Sequence, residues 1–219
     1  MVYRATAKMA DRKAARRRKL LDSATRVFGQ HGYHATTVPM IVANSESSTG
    51  SFYFYFRSKE DVFAAVIEDL GKEIAEVLTE AISRTATGLP QMVAAVTRLF
   101  LFLADNPGKA RILIVESSGL SPRLEHMRRQ IVASHTRSVE QALGSLAPLV
   151  IVPERSVAAR CWLGAVYESA YHWLELPSEH RPHAESIARA VAAFVIRGIG
   201  ASPELVTHAA PLMDNPVRQ

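Results

Sequence analysis

The stretch that decides the fold is Thr36–Lys59, TTVPMIVANSESSTGSFYFYFRSK. A short apolar segment opens it, preceded by two Thr residues and containing Pro39 in its first turn. A hydroxyl just before an apolar run is an N-terminal cap signal, and a proline costs little where the N–H has no helical partner. A polar break follows at 44–47, and a second short segment begins at Ser48-Thr49. The pattern predicts two helices of about two turns each, joined by a tight turn in a helix-turn-helix.

Five consecutive aromatic residues, Phe52 to Phe56, belong to the second segment. They cannot all be buried on one short helix, because successive residues lie about 100° apart around its axis. Phe52 and Phe56 share a face, and we expect both in the core. The residues between them must point elsewhere, and the hydroxyls of Tyr53 and Tyr55 can donate to phosphate oxygens. The alternative is an aromatic core plug without any partner.

These residues resemble the DNA-binding domain of TetR-family transcriptional regulators. The resemblance covers roughly residues 17–70 and rests on Phe28, Gly32-Tyr33, Thr36–Val38, Ile41, Gly50–Phe56 and Ser58–Glu60. The sequence departs from the family pattern at Met40, Val42 and Glu46-Ser47, where an acidic residue, Ala and Gly-Val are usual. A glycine in the turn relieves a left-handed backbone, so Glu46 leaves the geometry of this turn open.

The resemblance also implies roles for individual residues. The segment Ser48 to Tyr55 would lie in the major groove of duplex DNA. Its implied base-edge positions are Thr49, Gly50, Ser51 and Phe54, with Phe54 suited to a thymine methyl group. The implied phosphate contacts are Thr37, Tyr53, Tyr55 and Lys59.

The positive charge of the chain is concentrated at its start. Residues 1–20 contain eight Lys and Arg against Asp11 alone, whereas the whole chain has 26 basic and 21 acidic residues. The remaining 199 residues therefore carry a small negative charge. A basic arm beside a helix-turn-helix is typical of nucleic-acid binding. A solvated tail is an alternative, and a membrane-surface segment is disfavoured because 4–16 has almost no large apolar residue to insert.

Several classes of function are disfavoured by composition. The chain has 219 residues, of which 48% are apolar, so it can bury a core in one or two domains. No apolar run is long enough to span a membrane, and no signal-peptide core follows the first residues. The single cysteine, Cys161, allows no internal disulfide, and no metal-ligand spacing, phosphate loop or paired-carboxylate motif is present. We therefore expect a cytoplasmic protein that is not an enzyme and needs neither metal nor cofactor.

Helical periodicity continues to the end of the chain, which predicts an all-α fold. We expect a basic flexible arm at 1–13 and a three-helix DNA-binding domain at 14–57. A larger helical domain for ligand binding and dimerisation follows at 58–201, and the tail 202–219 is expected to be frayed. Gly32 is expected to end the first helix. The segment LVIV, between Pro148 and Pro153, could form a strand but has no partner elsewhere.

The last two predicted helices, 154–176 and 183–200, have apolar residues on more than one face. Such helices need more cover than one neighbour provides. Doubling them about a two-fold axis would make a four-helix interface, which predicts a homodimer; the alternative is the core of a monomer.

A pocket for a small, largely apolar ligand is predicted in the same domain, because aromatic walls with a few polar groups describe such sites. The candidate residues are Phe100, Met127, Ile131, His135, Trp162, Tyr167, Glu168, Tyr171 and His172. For most of them a place in the core or at an interface is the simpler explanation. Cys161 and His172 cannot form a nucleophile and base, because they lie about 16 Å apart along one helix.

Taken together, these patterns indicate a TetR-like regulator, a repressor released from a pseudo-palindromic operator in double-stranded DNA by a small-molecule effector. One alternative is a constitutive architectural DNA-binding dimer without an effector. Another is a helical ligand-binding or enzymatic domain with a vestigial DNA-binding head, which the aromatic run and the basic arm disfavour.

Overall fold

The computed structural model describes residues 2–116, 119–146, 152 and 154–200, with the backbone alone for 2–8. Across these residues the chain is helical and contains no strand, so the all-α prediction is confirmed. The helices are α1 (Val2–Ala35), α2 (Val38–Ala43), α3 (Thr49–Tyr55), α4 (Lys59–Ser83), α5 (Leu89–Asp105), α6 (Pro107–Ala110), α7 (Pro122–Ser145), α8 (Arg155–Glu175) and α9 (Ala184–Gly198). A π-helical segment spans Arg111–Glu116, and a 3₁₀ turn spans Ser178–His180.

The chain divides into two compact units. The first contains Met1–Leu70 and Pro107–Leu120, and the second contains Gly71–Asn106 and Ser121–Gln219. This division differs from the boundary that we predicted after residue 57, because the first turns of α4 belong to the first unit. Phe63 of α4 is fully buried there, and its ring centroid lies 4.7 Å from that of Phe28.

In the second unit, α5 packs against α9, α7 packs against α8, and α8 packs against α9. Phe100 and Trp173 are buried with their rings in an edge-to-face contact, 5.9 Å between centroids. The indole N–H of Trp173 donates to the Pro182 carbonyl at 2.8 Å, which ties α8 to the connection before α9. The predicted frayed tail and most of the LVIV segment lie outside the described residues. None of the described helices is long and apolar enough to cross a membrane.

Helix α1 is longer than expected. Residues 2–13, for which we predicted a flexible arm, continue the helix. Ala, Lys and Arg make up most of this stretch and Gly and Pro are absent from it, so the intrinsic helix propensity is high. At its other end, α1 is broken at Gly32, whose φ of 77° is open to glycine at little cost. The straight run of α1 therefore stops at Gly32, where we predicted the helix to end, and the last residues to Ala35 follow this break.

Residues 107–116 pack against α1 in the first unit. A Cβ atom at Gly29 would lie 2.8 Å from the Gly108 Cα atom, so only glycine allows this approach of the two backbones. Glu116 accepts a hydrogen bond from the backbone N–H of Tyr33 at 2.9 Å and pairs with Arg111. The segment that begins at Pro107 thus supports the end of α1.

The two short helices form as predicted, with one difference in capping. Ser48 caps α3, because its hydroxyl oxygen accepts from the Ser51 N–H at 3.1 Å, and Pro39 lies in the first turn of α2. Thr37 occupies the cap position of α2, but its side chain accepts no N–H there, so the predicted hydroxyl cap is wrong for this helix. The neighbouring Thr36 is buried, and its hydroxyl donates to the Gly32 carbonyl at 2.7 Å.

The turn between α2 and α3 keeps a left-handed backbone despite the absence of glycine. Glu46 has a φ of 53°, the only positive φ at a non-glycine position among the described residues. Its carboxylate lies 2.9 Å from the Lys19 ammonium of α1, and this partner lowers the pKa of Glu46. The pair spans two exposed side chains and is screened by solvent, so it offsets only part of the backbone strain.

We predict that Glu46→Gly stabilises the protein. Glycine removes the Cβ clash of the left-handed turn, which outweighs the loss of an exposed ion pair, and Tm should rise by about 2 °C. Thermal unfolding followed by circular dichroism measures the change. Glu46→Gln is the matched control, because it removes the charge and keeps the strain, and its Tm should not exceed that of the wild type. A lower Tm for Glu46→Gly than for Glu46→Gln would contradict this account of the turn.

Candidate nucleic-acid interface and ligand site

Helix α3 divides its aromatic run between the core and the solvent. Phe52 and Phe56 are buried, as predicted, whereas 55% of Tyr53 and 67% of Phe54 are exposed. Tyr55 is half-buried. Ser48, Thr49 and Gly50 are also exposed, and Ser51 is half-buried. The predicted base-edge residues therefore all lie within α3, and all of them but Ser51 are exposed.

Two groups of aromatic rings help to hold the first unit together. The rings of Phe28, Tyr33 and Phe63 contact one another, and the Phe52 and Phe56 rings lie 5.7 Å apart. Aromatic pairs add to the stability that simple burial provides. A short helix such as α3 is marginal in isolation, so its orientation depends on this packing.

Four basic residues of α1 fall into two groups according to their partners. Arg18 pairs with Asp22 and Asp69, and Lys19 pairs with Glu46, so these two charges support the fold. Lys13 and Arg17 instead lie over aromatic rings, those of Phe54 and Phe56 respectively. We did not predict these contacts. Their signal was the four-residue spacing, which places both side chains on one face of α1.

Lys59 occupies a different environment from the one that its predicted role suggested. Its ammonium donates to three backbone carbonyls, those of Tyr33 at 2.8 Å, Thr36 at 3.0 Å and His34 at 3.3 Å. It also lies 4.4 Å from the centroid of the Tyr33 ring. An ammonium group has three donors, so all of them are used within the protein. A phosphate contact by Lys59 stays a prediction, as does one by the exposed Thr37.

The predicted ligand residues separate into buried and exposed sets. Phe100 and Trp162 are buried, and Met127 and Ile131 are half-buried. The exposed set consists of Glu168, Tyr171 and His172. The inward face of α8 is formed by Ala159, Trp162, Val166, Ala170 and Trp173. Sequence reasoning missed Trp173, although its position seven residues after Val166 repeats the helical spacing of that face.

One polar pair connects α7 and α8. His135 Nδ1 and the Tyr167 hydroxyl lie 2.8 Å apart. Burial raises the pKa of Tyr167 to about 12, which the nearby Arg128 partly opposes, and burial lowers the pKa of His135. Both groups are therefore neutral at pH 7. Such a pair can exchange donor and acceptor roles, and it can donate one hydrogen bond to a carbonyl oxygen.

No cluster of metal-binding side chains occurs in the described parts of the chain. No three or more His, Cys, Asp or Glu residues there are arranged to hold a metal ion.

Comparisons with known proteins identify the family of this chain. The family described as "Bacterial regulatory proteins, tetR family" matches residues 20–66. The "Uncharacterized HTH-type transcriptional regulator YdgC" of Bacillus subtilis is 30% identical over 135 residues, which cover 58% of this chain and 67% of that protein. This chain belongs to the TetR family of DNA-binding transcriptional regulators. Its relatives are transcriptional regulators and not enzymes. The predictions that the chain is a TetR-like regulator and that it is not an enzyme are therefore confirmed.

Other TetR-like proteins match a shorter stretch of the chain, or match most of it at lower sequence identity. The "Fatty acid metabolism regulator protein" of B. subtilis is 26% identical over 98 residues, 45% of this chain and half of that protein's length. Two solved structures share the fold. FadR from B. subtilis in complex with stearoyl-CoA has a TM-score of 0.73 and 20% identity, covering 83% of this chain and 98% of its own. AibR in complex with isovaleryl coenzyme A and operator DNA has a TM-score of 0.67 and 19% identity, covering 82% and 97%.

The environment of Lys59 leads to a stability prediction. Lys59→Ala leaves three backbone carbonyls without their donor, so the free energy of unfolding should fall by about 1–3 kcal/mol. Urea unfolding followed by circular dichroism measures it. Arg57→Ala is the control, because Arg57 is an exposed neighbour and its loss should change stability by no more than about 0.5 kcal/mol. Equal midpoints for Lys59→Ala and the wild type would show that Lys59 is free for another role.

Proposed function

We propose that this TetR-family regulator is a repressor that binds a pseudo-palindromic operator as a homodimer and is released by an acyl-CoA. The observation that carries the ligand class is the neutral His135–Tyr167 pair between α7 and α8. A regulator of this kind works where the DNA is, in the cytoplasm.

The chemistry of this pair suits the uncharged acyl thioester part of an acyl-CoA. The second unit contains buried apolar side chains, among them Phe100, Trp162 and Val166. An acyl chain needs apolar walls, and its thioester carbonyl needs only one or two hydrogen-bond donors. A charged group placed beside this pair would lose more hydration than these neutral groups restore, so the phosphates of coenzyme A would lie elsewhere. The Tyr167 hydroxyl is our candidate donor to the carbonyl oxygen.

Two fold neighbours support the same class of ligand. FadR of B. subtilis binds stearoyl-CoA, and AibR binds isovaleryl coenzyme A together with operator DNA. Their acyl groups differ greatly in length, so the shared feature is the acyl thioester of coenzyme A. We extend that class to this chain and leave the acyl length to experiment.

The exposed apolar residues of α8 and α9 support the homodimer. Val157 is 51% exposed, Phe194 is 68% exposed, and Tyr171 is also exposed. Large apolar side chains grouped on neighbouring helices favour cover by another protein surface. A second copy of the chain would provide it through a two-fold interface, and a two-fold dimer reads a pseudo-palindromic site.

The test combines operator release with thermal stability. An operator duplex is first selected from a random library with the full-length protein, and its affinity is then measured by fluorescence anisotropy. Stearoyl-CoA and isovaleryl-CoA are titrated separately, with free coenzyme A as the control. One of the acyl-CoAs should raise Tm and release DNA over the same concentration range, because one conformational equilibrium links both effects.

Tyr167→Phe is the matched variant, since it removes only the hydroxyl. It should weaken the response to the acyl-CoA by about fivefold, the value of one hydrogen bond, and leave operator affinity unchanged. If the protein binds its selected operator and neither acyl-CoA alters that affinity, the ligand class is wrong. If a wider panel of small molecules also leaves the affinity unchanged, the protein is a constitutive DNA-binding dimer.

A further inference from the structure

The face of α1 that packs in the core extends towards the N-terminus past the last buried residue. Leu20, Ala24 and Phe28 are fully buried at four-residue spacing. The same stripe, followed towards the N-terminus, passes through Arg17 and Lys13, because helix positions three or four apart lie on one face. Both of these side chains are exposed. Helix α1 thus directs two cations towards α3 where its apolar stripe ends.

Of the two cations, one contacts a buried phenylalanine ring and the other contacts an exposed one. The Arg17 guanidinium lies 5.3 Å from the centroid of Phe56, which is only 2% exposed. The Lys13 ammonium lies 4.9 Å from the centroid of Phe54, which is 67% exposed. Arg17 therefore covers a core residue, whereas Lys13 contacts a ring that is presented to solvent on the candidate DNA-binding surface.

An exposed ring needs an external contact to keep one orientation. The ring of Tyr55 meets Phe54 edge to face at 4.9 Å, and Lys13 contacts it as a cation over a ring. A cation–π contact at an exposed site changes a conformational equilibrium by about two- to fivefold. A ring that distinguishes base pairs by its fit to a thymine methyl must keep its orientation.

We propose that Lys13 is a positioning residue for sequence recognition, and that it holds the Phe54 ring in the orientation that reads a base pair. The N-terminal part of α1 and helix α3 then form one composite reading surface. The proposal rests on the proposed function, because it requires α3 to lie in the operator. It separates Lys13 from an exposed cation such as Arg12, whose charge would act on phosphates without distinguishing sequence.

The experiment uses the full-length protein, the selected operator and a panel of its single-base-pair variants. Phe54→Ala first identifies the base pair at which discrimination is lost. Lys13→Met, which keeps an apolar stem and removes the charge, should then reduce discrimination at that same base pair by about two- to fivefold. Lys13→Arg should restore it, because a guanidinium also stacks on an aromatic face.

Two comparisons separate positioning from a general charge effect. Arg12→Gln is the matched control, an exposed cation one residue earlier and about 100° around the helix. It should weaken binding to every duplex alike and reduce the salt slope by about one phosphate. The double variant Lys13→Met with Phe54→Ala should discriminate no worse than Phe54→Ala alone, since both changes act through one ring.

The results distinguish failure of this proposal from failure of the proposed function. If the wild type prefers its operator and Lys13→Met retains full discrimination at the Phe54 base pair, the positioning role is overturned. A uniform loss of affinity in Lys13→Met, equal to that in Arg12→Gln, overturns it as well. A wild-type protein without any sequence preference overturns the proposed function, and this proposal with it. Circular dichroism melts of each variant establish that the exposed substitutions leave the fold intact.

Discussion

The architecture of the first unit depends on one set of hydrogen bonds, those from the half-buried Lys59 ammonium to the carbonyls of Tyr33, His34 and Thr36. The last carbonyls of a helix lack partners within it, and a left-handed break at Gly32 exposes more backbone beyond the helix. Lys59 is the first residue of α4, so its side chain fastens that helix to the end of α1. Helix α2 begins at Val38, two residues after Thr36, so this contact also fixes the start of α2.

The candidate DNA-binding surface is a consequence of this arrangement. Helix α3 has only seven residues, and a helix of that length is unstable without tertiary packing. Phe52 and Ile41 provide the packing through full burial, and the Ser23 hydroxyl donates to the Ile41 carbonyl at 2.7 Å. The residues that face solvent on α3 take little part in this support. Their identity is therefore not constrained by packing, and this explains why an exposed Phe54 can stand two residues after a buried Phe52.

Much of the first unit could be predicted because its signals are local. The caps at Ser48 and Gly32 and the burial of Phe52 and Phe56 follow from neighbouring residues and helical geometry. The partners of Lys59 could not be predicted, since they depend on where a break at Gly32 places three carbonyls. The outward direction of Glu168 and His172 was missed for another reason. Helix α8 carries apolar residues around much of its circumference, so periodicity alone does not identify its inward face.

The central claim is that the basic N-terminal part of α1 and the exposed face of α3 bind duplex DNA together. The most direct test measures the affinity for the selected operator at potassium chloride concentrations between about 50 and 300 mM. Over this range the release of counterions from DNA determines how affinity falls with salt. Each neutralised phosphate contributes about −0.9 to the slope of log affinity against log salt. Two copies of this surface should neutralise four or more phosphates, so we expect a slope steeper than about −4. A slope near zero would contradict the assignment of this surface to DNA.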